Sequence, residues 1–254
     1  MPAAWWDRAV PVQSPDPGAT SDADEIARRY AWPPGPARPW LRAVMVSSLD
    51  GAVEAGGRSS GVATPADRRV FVRLRRSADV VLVGAGTVRA EDYRGVRSGD
   101  GGAPPPIAVV TSSAALDPAS RLFTDTRTPP IVLTTAAAPP ARRDALVAAG
   151  GDVAVLGDLM APSLLGELER RGLRRVLCEG GPRLLGTLLD DDAVDELCLT
   201  LSPVMVGGTA ARIAVSGEPV TRPMQLAGAL EEDGTLLLRY VRASAATGVT
   251  PPNG

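Results

Sequence analysis

The chain has 254 residues, 44% hydrophobic and 22% charged, with a formal net charge of −2. That balance suits one sizeable globular core and presents no basic face for nucleic acid or a membrane surface. All 27 basic residues are arginine and histidine is absent, which excludes a serine–histidine–acid triad, an H-E-x-x-H metal site, a Walker lysine and a lysine Schiff base.

Residues 1–38 read as a Pro-rich N-terminal arm (PVQSPDPG, WPPGPARP) around one polar helical candidate at 22–30. Trp5, Trp6, Trp32 and Trp40 suggest that it packs on the body or on a partner, because a free tail rarely carries such aromatics. No apolar stretch nears the roughly 18 residues of a membrane span, and the start lacks a signal-peptide layout. A cytoplasmic location is expected.

From Leu41 a repeating grammar begins, in which short β-type runs lead through Gly or Ser turns into helical stretches. The runs are LRAVMVSSL, DVVLVGAGT, PIAVVTSS, PIVLTT, DVAVLG, RRVLCEGG, ELCLTLSPVMVGG and GTLLLRYVRAS. Helical candidates lie at 65–76, 141–149, 162–171 and 182–190. Alternation of this kind predicts an α/β domain over 39–243 with a mostly parallel central sheet. The last two runs have no clear helix between them, so an antiparallel C-terminal hairpin or edge is expected. The segment 98–106 (SGDGGAPPP) reads as a surface loop and 244–254 as a disordered tail. Cys178 and Cys198 sit inside apolar runs and read as small buried residues; with no histidine beside them, no metal site is expected.

Three turns suit an anionic ligand: Gly84-Ala85-Gly86-Thr87, Gly180-Gly181-Pro182 and Gly207-Gly208-Thr209. Glycine admits close backbone approach, and the helix N-termini that follow can hold phosphate without lysine. Singly, each is ordinary α/β punctuation, and G-x-G-x-x-G does not occur in a dinucleotide-binding context. Two acids at strand ends, Asp50 in SSLDG and Glu179 before two glycines, add weight.

The blocks MVSSLDG, SSGVATPADRR, LRRSADVVLVGAGTVRAED, VLCEGGPRLLGTLL and VDELCLTLSPVMVGG, in this order, resemble the reductase domain of riboflavin-biosynthesis deaminase-reductases. The resemblance implies a dihydrofolate-reductase-like three-layer sandwich, a stand-alone form without the deaminase domain, and a homodimer. It implies reduction of 5-amino-6-ribosylaminouracil 5′-phosphate to the ribityl product with NADPH. On the matching positions it implies cofactor contacts from Val46, Ser48, Thr64, Gly84, Gly86, Thr87, Glu91, Thr111, Ser112, Gly180, Gly181, Pro182, Arg183, Leu184, Leu185 and Thr187. Ser60, Arg75, Arg97 and Glu179 match its substrate positions. The family's Asp-Asp-Pro is replaced here by Glu91-Asp92-Tyr93.

Asp50 and Glu179 are the candidate catalytic acids. Asp50 is read as a proton donor or an organiser, although Ser-Leu-Asp-Gly is also good turn chemistry. Glu179 is read as an acceptor for substrate hydroxyl or amino groups, with helix capping as the plainer role. Arg75 is read as a phosphate contact, against the possibility that the arginines of 68–76 form a solvated face. The run VDELCLTLSPVMV suits either a subunit interface or core burial. A dihydrofolate or other pterin reductase and a non-catalytic NADPH-binding protein are the alternative functions.

Overall fold

The computed structural model describes residues 22–97 and 102–243; Trp5, Trp6, the start of the 98–106 loop and the tail at 244–254 lie outside the described residues. One sheet is built from β1 (Trp40–Ser48), β2 (Val80–Gly84), β3 (Ile107–Val110), β4 (Ile131–Thr135), β5 (Asp152–Leu156), β6 (Arg175–Cys178), β7 (Glu196–Ser202), β8 (Met224–Glu232) and β9 (Thr235–Arg242). Their order is β5-β4-β3-β2-β6-β1-β7-β9-β8. The pairs from β5 to β7 are parallel, and β9 is antiparallel to both β7 and β8.

Strands covered on both faces must be apolar throughout, and Val80, Val81, Leu82 and Val83 are all fully buried. The helices are α1 (Asp22–Arg29), α2 (Pro65–Ser77), α3 (Ala85–Ala90), α4 (Arg121–Thr124), α5 (Pro140–Ala148), α6 (Ala161–Arg170) and α7 (Pro182–Asp190). Val70 and Leu74 of α2, Val88 of α3, Leu122 of α4 and Leu146 of α5 join one core cluster. Leu164 and Leu168 of α6 and Leu184, Leu185 and Leu188 of α7 join the other. Helices therefore cover both sheet faces in three layers, each fully buried leucine contributing roughly 2 kcal/mol.

The C-terminal edge holds one strand more than the sequence suggested. The last strand pairs with β7, and β8 lies outside it. A bulge between Leu226 and Gly228 breaks the alternation of β8, so its pattern is not period-two. The short helices α3 and α4 were likewise not anticipated. Strand β7 runs between β1 and β9 with alternating burial: Glu196, Cys198, Thr200 and Ser202 are buried, whereas Leu197, Leu199 and Leu201 are half-buried. Val204, Met205 and Val206 beyond it are exposed.

Residues 30–40 are tied to the sheet by a buried charge network. Arg42, fully buried, donates to the carbonyls of Tyr30 (2.7 Å) and Ala31 (3.1 Å), and its guanidinium lies 4.0 Å from the Trp32 ring centre. It pairs with Glu196 at 2.9 Å, which also takes Arg239 at 2.6 Å and the Trp40 indole at 3.1 Å. Burial opposes the Glu196 charge, but the two arginines outweigh it and hold the carboxyl below its ordinary range.

Candidate active site

A cleft of about 1290 Å³ opens where β1, β2, β3 and the end of β6 meet α2, α3 and α7. In the sheet β6 lies between β2 and β1, the kind of order reversal at which open α/β sheets bind ligands. Two glycine turns meet there. The Gly84 N–H donates to the Gly180 carbonyl at 2.8 Å, and the Glu179 N–H to the Leu82 carbonyl at 2.9 Å. The Gly180–Gly181 peptide is cis. A Cβ on Gly181 would run into Thr87 Oγ1, so this approach requires glycine.

Helices α3 and α7 begin at these turns, and Ala85 to Thr87 and Gly181 to Leu184 line the cleft. First-turn N–H groups lack partners within their helix and attract anions. Val46, Glu91, Thr111, Ser112 and Thr187 line the cleft as well. The Ser59 N–H donates to Glu91 Oε1 at 2.7 Å, fixing the turn that carries Ser60 to the cleft.

The other half is built on Glu179, which is 7% exposed. Arg75 donates from Nε and Nη2 to its two oxygens, both at 2.6 Å, and the Tyr93 hydroxyl donates to Oε2 at 2.6 Å. The Arg75 guanidinium stacks 4.4 Å from the Phe71 ring centre and 5.2 Å from that of Tyr93. Burial works against the charge on Arg75, but the Glu179 carboxylate outweighs it and raises the pKa. Burial, then the charge of Glu179, pushes the Tyr93 phenol well above its ordinary value, so it stays a donor.

Several predicted residues fall elsewhere. Asp50 is exposed and lies off the cleft lining; it accepts from the Ser48 hydroxyl (2.5 Å) and from the Val206 (3.1 Å) and Gly207 (2.7 Å) amides. These bonds lower its pKa to about 2, so it carries no proton to donate near neutrality and serves as a clamp on the turn at 203–208. Ser48 is buried and joins that clamp, accepting from the Ala52 N–H at 2.9 Å. Thr64 caps α2, its hydroxyl accepting from the Asp67 N–H at 3.2 Å. Leu185 points into the core and Gly180 packs on Met45. Arg97 pairs with Asp125 at 2.6 Å on the surface, while Arg94 and Arg121 reach the cleft.

Residues 39–238 match the sequence profile of the RibD C-terminal domain. The chain belongs to this family. It is 30% identical over 194 residues to the 2,5-diamino-6-ribosylamino-4(3H)-pyrimidinone 5′-phosphate reductase of Archaeoglobus fulgidus, spanning 71% of this chain and 88% of the relative. It is 32% identical over 186 residues to the protein of the same name from Methanothermobacter thermautotrophicus, spanning 72% and 86%. In fold it is similar to a pyrimidine reductase-like protein from Corynebacterium diphtheriae (TM-score 0.76, 23% identity, 85% of this chain and 98% of that one). It is also similar to the Saccharomyces cerevisiae riboflavin biosynthesis reductase Rib7 (TM-score 0.69, 21% identity, 88% and 100%).

In this RibD C-terminal domain the cleft groups Tyr93, Phe71, Asp67 and Arg121 had not been singled out from the sequence. Tyr93 carried a signal, as the residue of Glu91-Asp92-Tyr93 that departs from the Asp-Asp-Pro the resemblance implies. Phe71 and Asp67 precede Arg75 by four and eight residues and share its helix face; that spacing was readable once Arg75 was chosen.

Proposed function

We propose that the protein is an NADPH-dependent reductase of a pyrimidine ribosyl phosphate in riboflavin biosynthesis, acting on the opened sugar carbon. The observation that carries this reading is the meeting of two glycine turns and the Arg75–Glu179 pair in one cleft.

The residues fit a nicotinamide dinucleotide. The amide-rich turns at Gly84–Thr87 and Gly181–Leu184 would hold its phosphates, with Thr111, Ser112 and Thr187 along its path. When bound, the nicotinamide supplies a hydride. The chain's own groups then align the substrate and exclude water. Arg75 uses Nε and Nη2 on Glu179, so the pair would enter the reaction as a unit, Glu179 accepting from sugar hydroxyls and Arg75 facing the phosphate. Ser60, Arg94 and Arg121 would complete the phosphate side. The substrate nitrogen takes its proton from water held in the cleft.

A homodimer covering the exposed Leu49, Val204 and Met205 and a cytoplasmic location belong to the same proposal. The test is loss of nicotinamide absorbance when the purified protein meets NADPH and the relatives' named substrate, 2,5-diamino-6-ribosylamino-4(3H)-pyrimidinone 5′-phosphate, or its uracil counterpart. Enzyme-dependent loss with either supports the reading. Loss with dihydrofolate alone replaces it with a pterin reductase, and loss with none leaves a cofactor-binding protein.

A further inference from the structure

One buried carboxyl in the cleft has no part in the mechanism above. Asp67 lies in the first turn of α2, 8% exposed, and lines the cleft. Its Oδ1 accepts from the Thr200 hydroxyl at 2.7 Å; among the described residues no hydrogen bond ends on Oδ2. Among the described residues no guanidinium forms an ion pair with it at salt-bridge distance, unlike Glu179. Burial raises its pKa, with Thr200 and then Arg68 acting in the opposite direction. An acid kept buried in a cleft that apolar Val44 and Phe71 also line needs a partner that brings hydrogen-bond donors.

The helix sets where that partner must lie. Asp67, Phe71 and Arg75 follow one another at four-residue steps, so they share a face, with Asp67 and Arg75 about 12 Å apart along the axis. An opened ribosyl phosphate with its phosphate toward Arg75 would therefore extend its base toward Asp67. The ring edge far from the sugar reaches the carboxyl first. In a 2-amino-4(3H)-pyrimidinone that edge presents two donors, the ring N–H and the 2-amino group, which match two carboxylate oxygens. In a uracil the 2-amino group is replaced by a carbonyl, whose lone pairs oppose the carboxylate.

Resting on the reductase reading, we infer that Asp67, braced by Thr200, reads the 2-amino edge of the base and makes the protein select the pyrimidine before its deamination. The reaction class that consumes the product is then hydrolytic deamination of the ring at position 2.

The test measures equilibrium binding of the two ribitylamino 5′-phosphates, the 2,5-diaminopyrimidinone and the 5-aminouracil, by calorimetry, with turnover of the two ribosyl substrates followed in the same preparations. Wild type should bind the diamino compound roughly 100-fold more tightly, because a site built for a donor rejects an analogue lacking it. Asp67→Asn keeps the Thr200 bond and the helix cap, so folding is retained, and the preference should fall to within a few-fold. Equal binding by wild type, preference for the uracil, binding of neither, or equal weakening of both by Asp67→Asn overturns the inference. Turnover without base preference would spare the reductase reading and sink Asp67; base preference without turnover would do the reverse.

Discussion

Replacing Glu179 by Gln removes the charge that Arg75 faces while leaving the shape of the side chain. The structure sets the scale: two Arg75 bonds and one Tyr93 bond, all at 2.6 Å, end on this carboxylate, and the side chains are 18% and 2% exposed. Stranding one member of a buried pair costs roughly 3–5 kcal/mol. The amide keeps one acceptor and Arg75 borders the open cleft, so the lower end applies, about 3 kcal/mol. Urea unfolding of the wild type and the Glu179→Gln variant reads this as a lower midpoint at unchanged slope. Adding Arg75→Met removes the stranded charge, and the double variant should recover at least half of the loss. A loss below about 0.5 kcal/mol in the single variant, or strict additivity in the double, would refute the claim that the two side chains act as a unit.

Further substitutions probe other parts of the site. Gly181→Ala places a methyl against Thr87 Oγ1; a displaced turn should raise KM for the nicotinamide cofactor tenfold or more, on the order of the loss expected from a 1 Å misplacement, and an unchanged KM would count against cofactor binding there. Asp50→Asn should leave kcat within a few-fold and speed hydrogen exchange at the Val206 and Gly207 amides that Asp50 holds; a 100-fold fall in kcat, as expected for a lost proton donor, would return Asp50 to the chemistry. For Asp67 the folded pKa is raised above 3.8, so its contribution to stability is present below that value and lost as pH rises through the folded pKa. Asp67→Asn should therefore stabilise the ligand-free protein near neutral pH, with the gain shrinking toward 3.8; a loss at neutral pH would contradict the burial argument. Glu196→Gln should cost roughly 3–5 kcal/mol by stranding Arg42 and Arg239, and chemical unfolding checks it.

The parallel core was legible because VVLV, IAVV and IVLTT are apolar on both faces and each leads into a turn and helix. The carboxyl-end turns were legible for the same reason. Strand β8 was missed although Asp233-Gly234, both at positive φ, is a strong hairpin signal; the bulge near Gly228 hid the strand that precedes it. Asp50 and Glu179 look alike in sequence, each an acid at a strand end. They part company only in three dimensions, where backbone amides meet one and Arg75 and Tyr93 meet the other. The surface pairing of Arg97 with Asp125 joins residues 28 apart in sequence, so spacing alone did not reveal it. Asp67 was overlooked because a lone acid in a helix first turn ordinarily serves the dipole; its burial against Thr200 depends on strand β7, 133 residues away in sequence.

The central claim, hydride delivery to the opened sugar carbon, is tested most directly with NADPH carrying deuterium at the transferable position. The account predicts that the enzyme yields a ribitylamino pyrimidine phosphate with the label on the carbon attached to the exocyclic nitrogen. Label appearing on the ring instead, or remaining entirely on the cofactor while both pyrimidines and NADPH are bound, would contradict it.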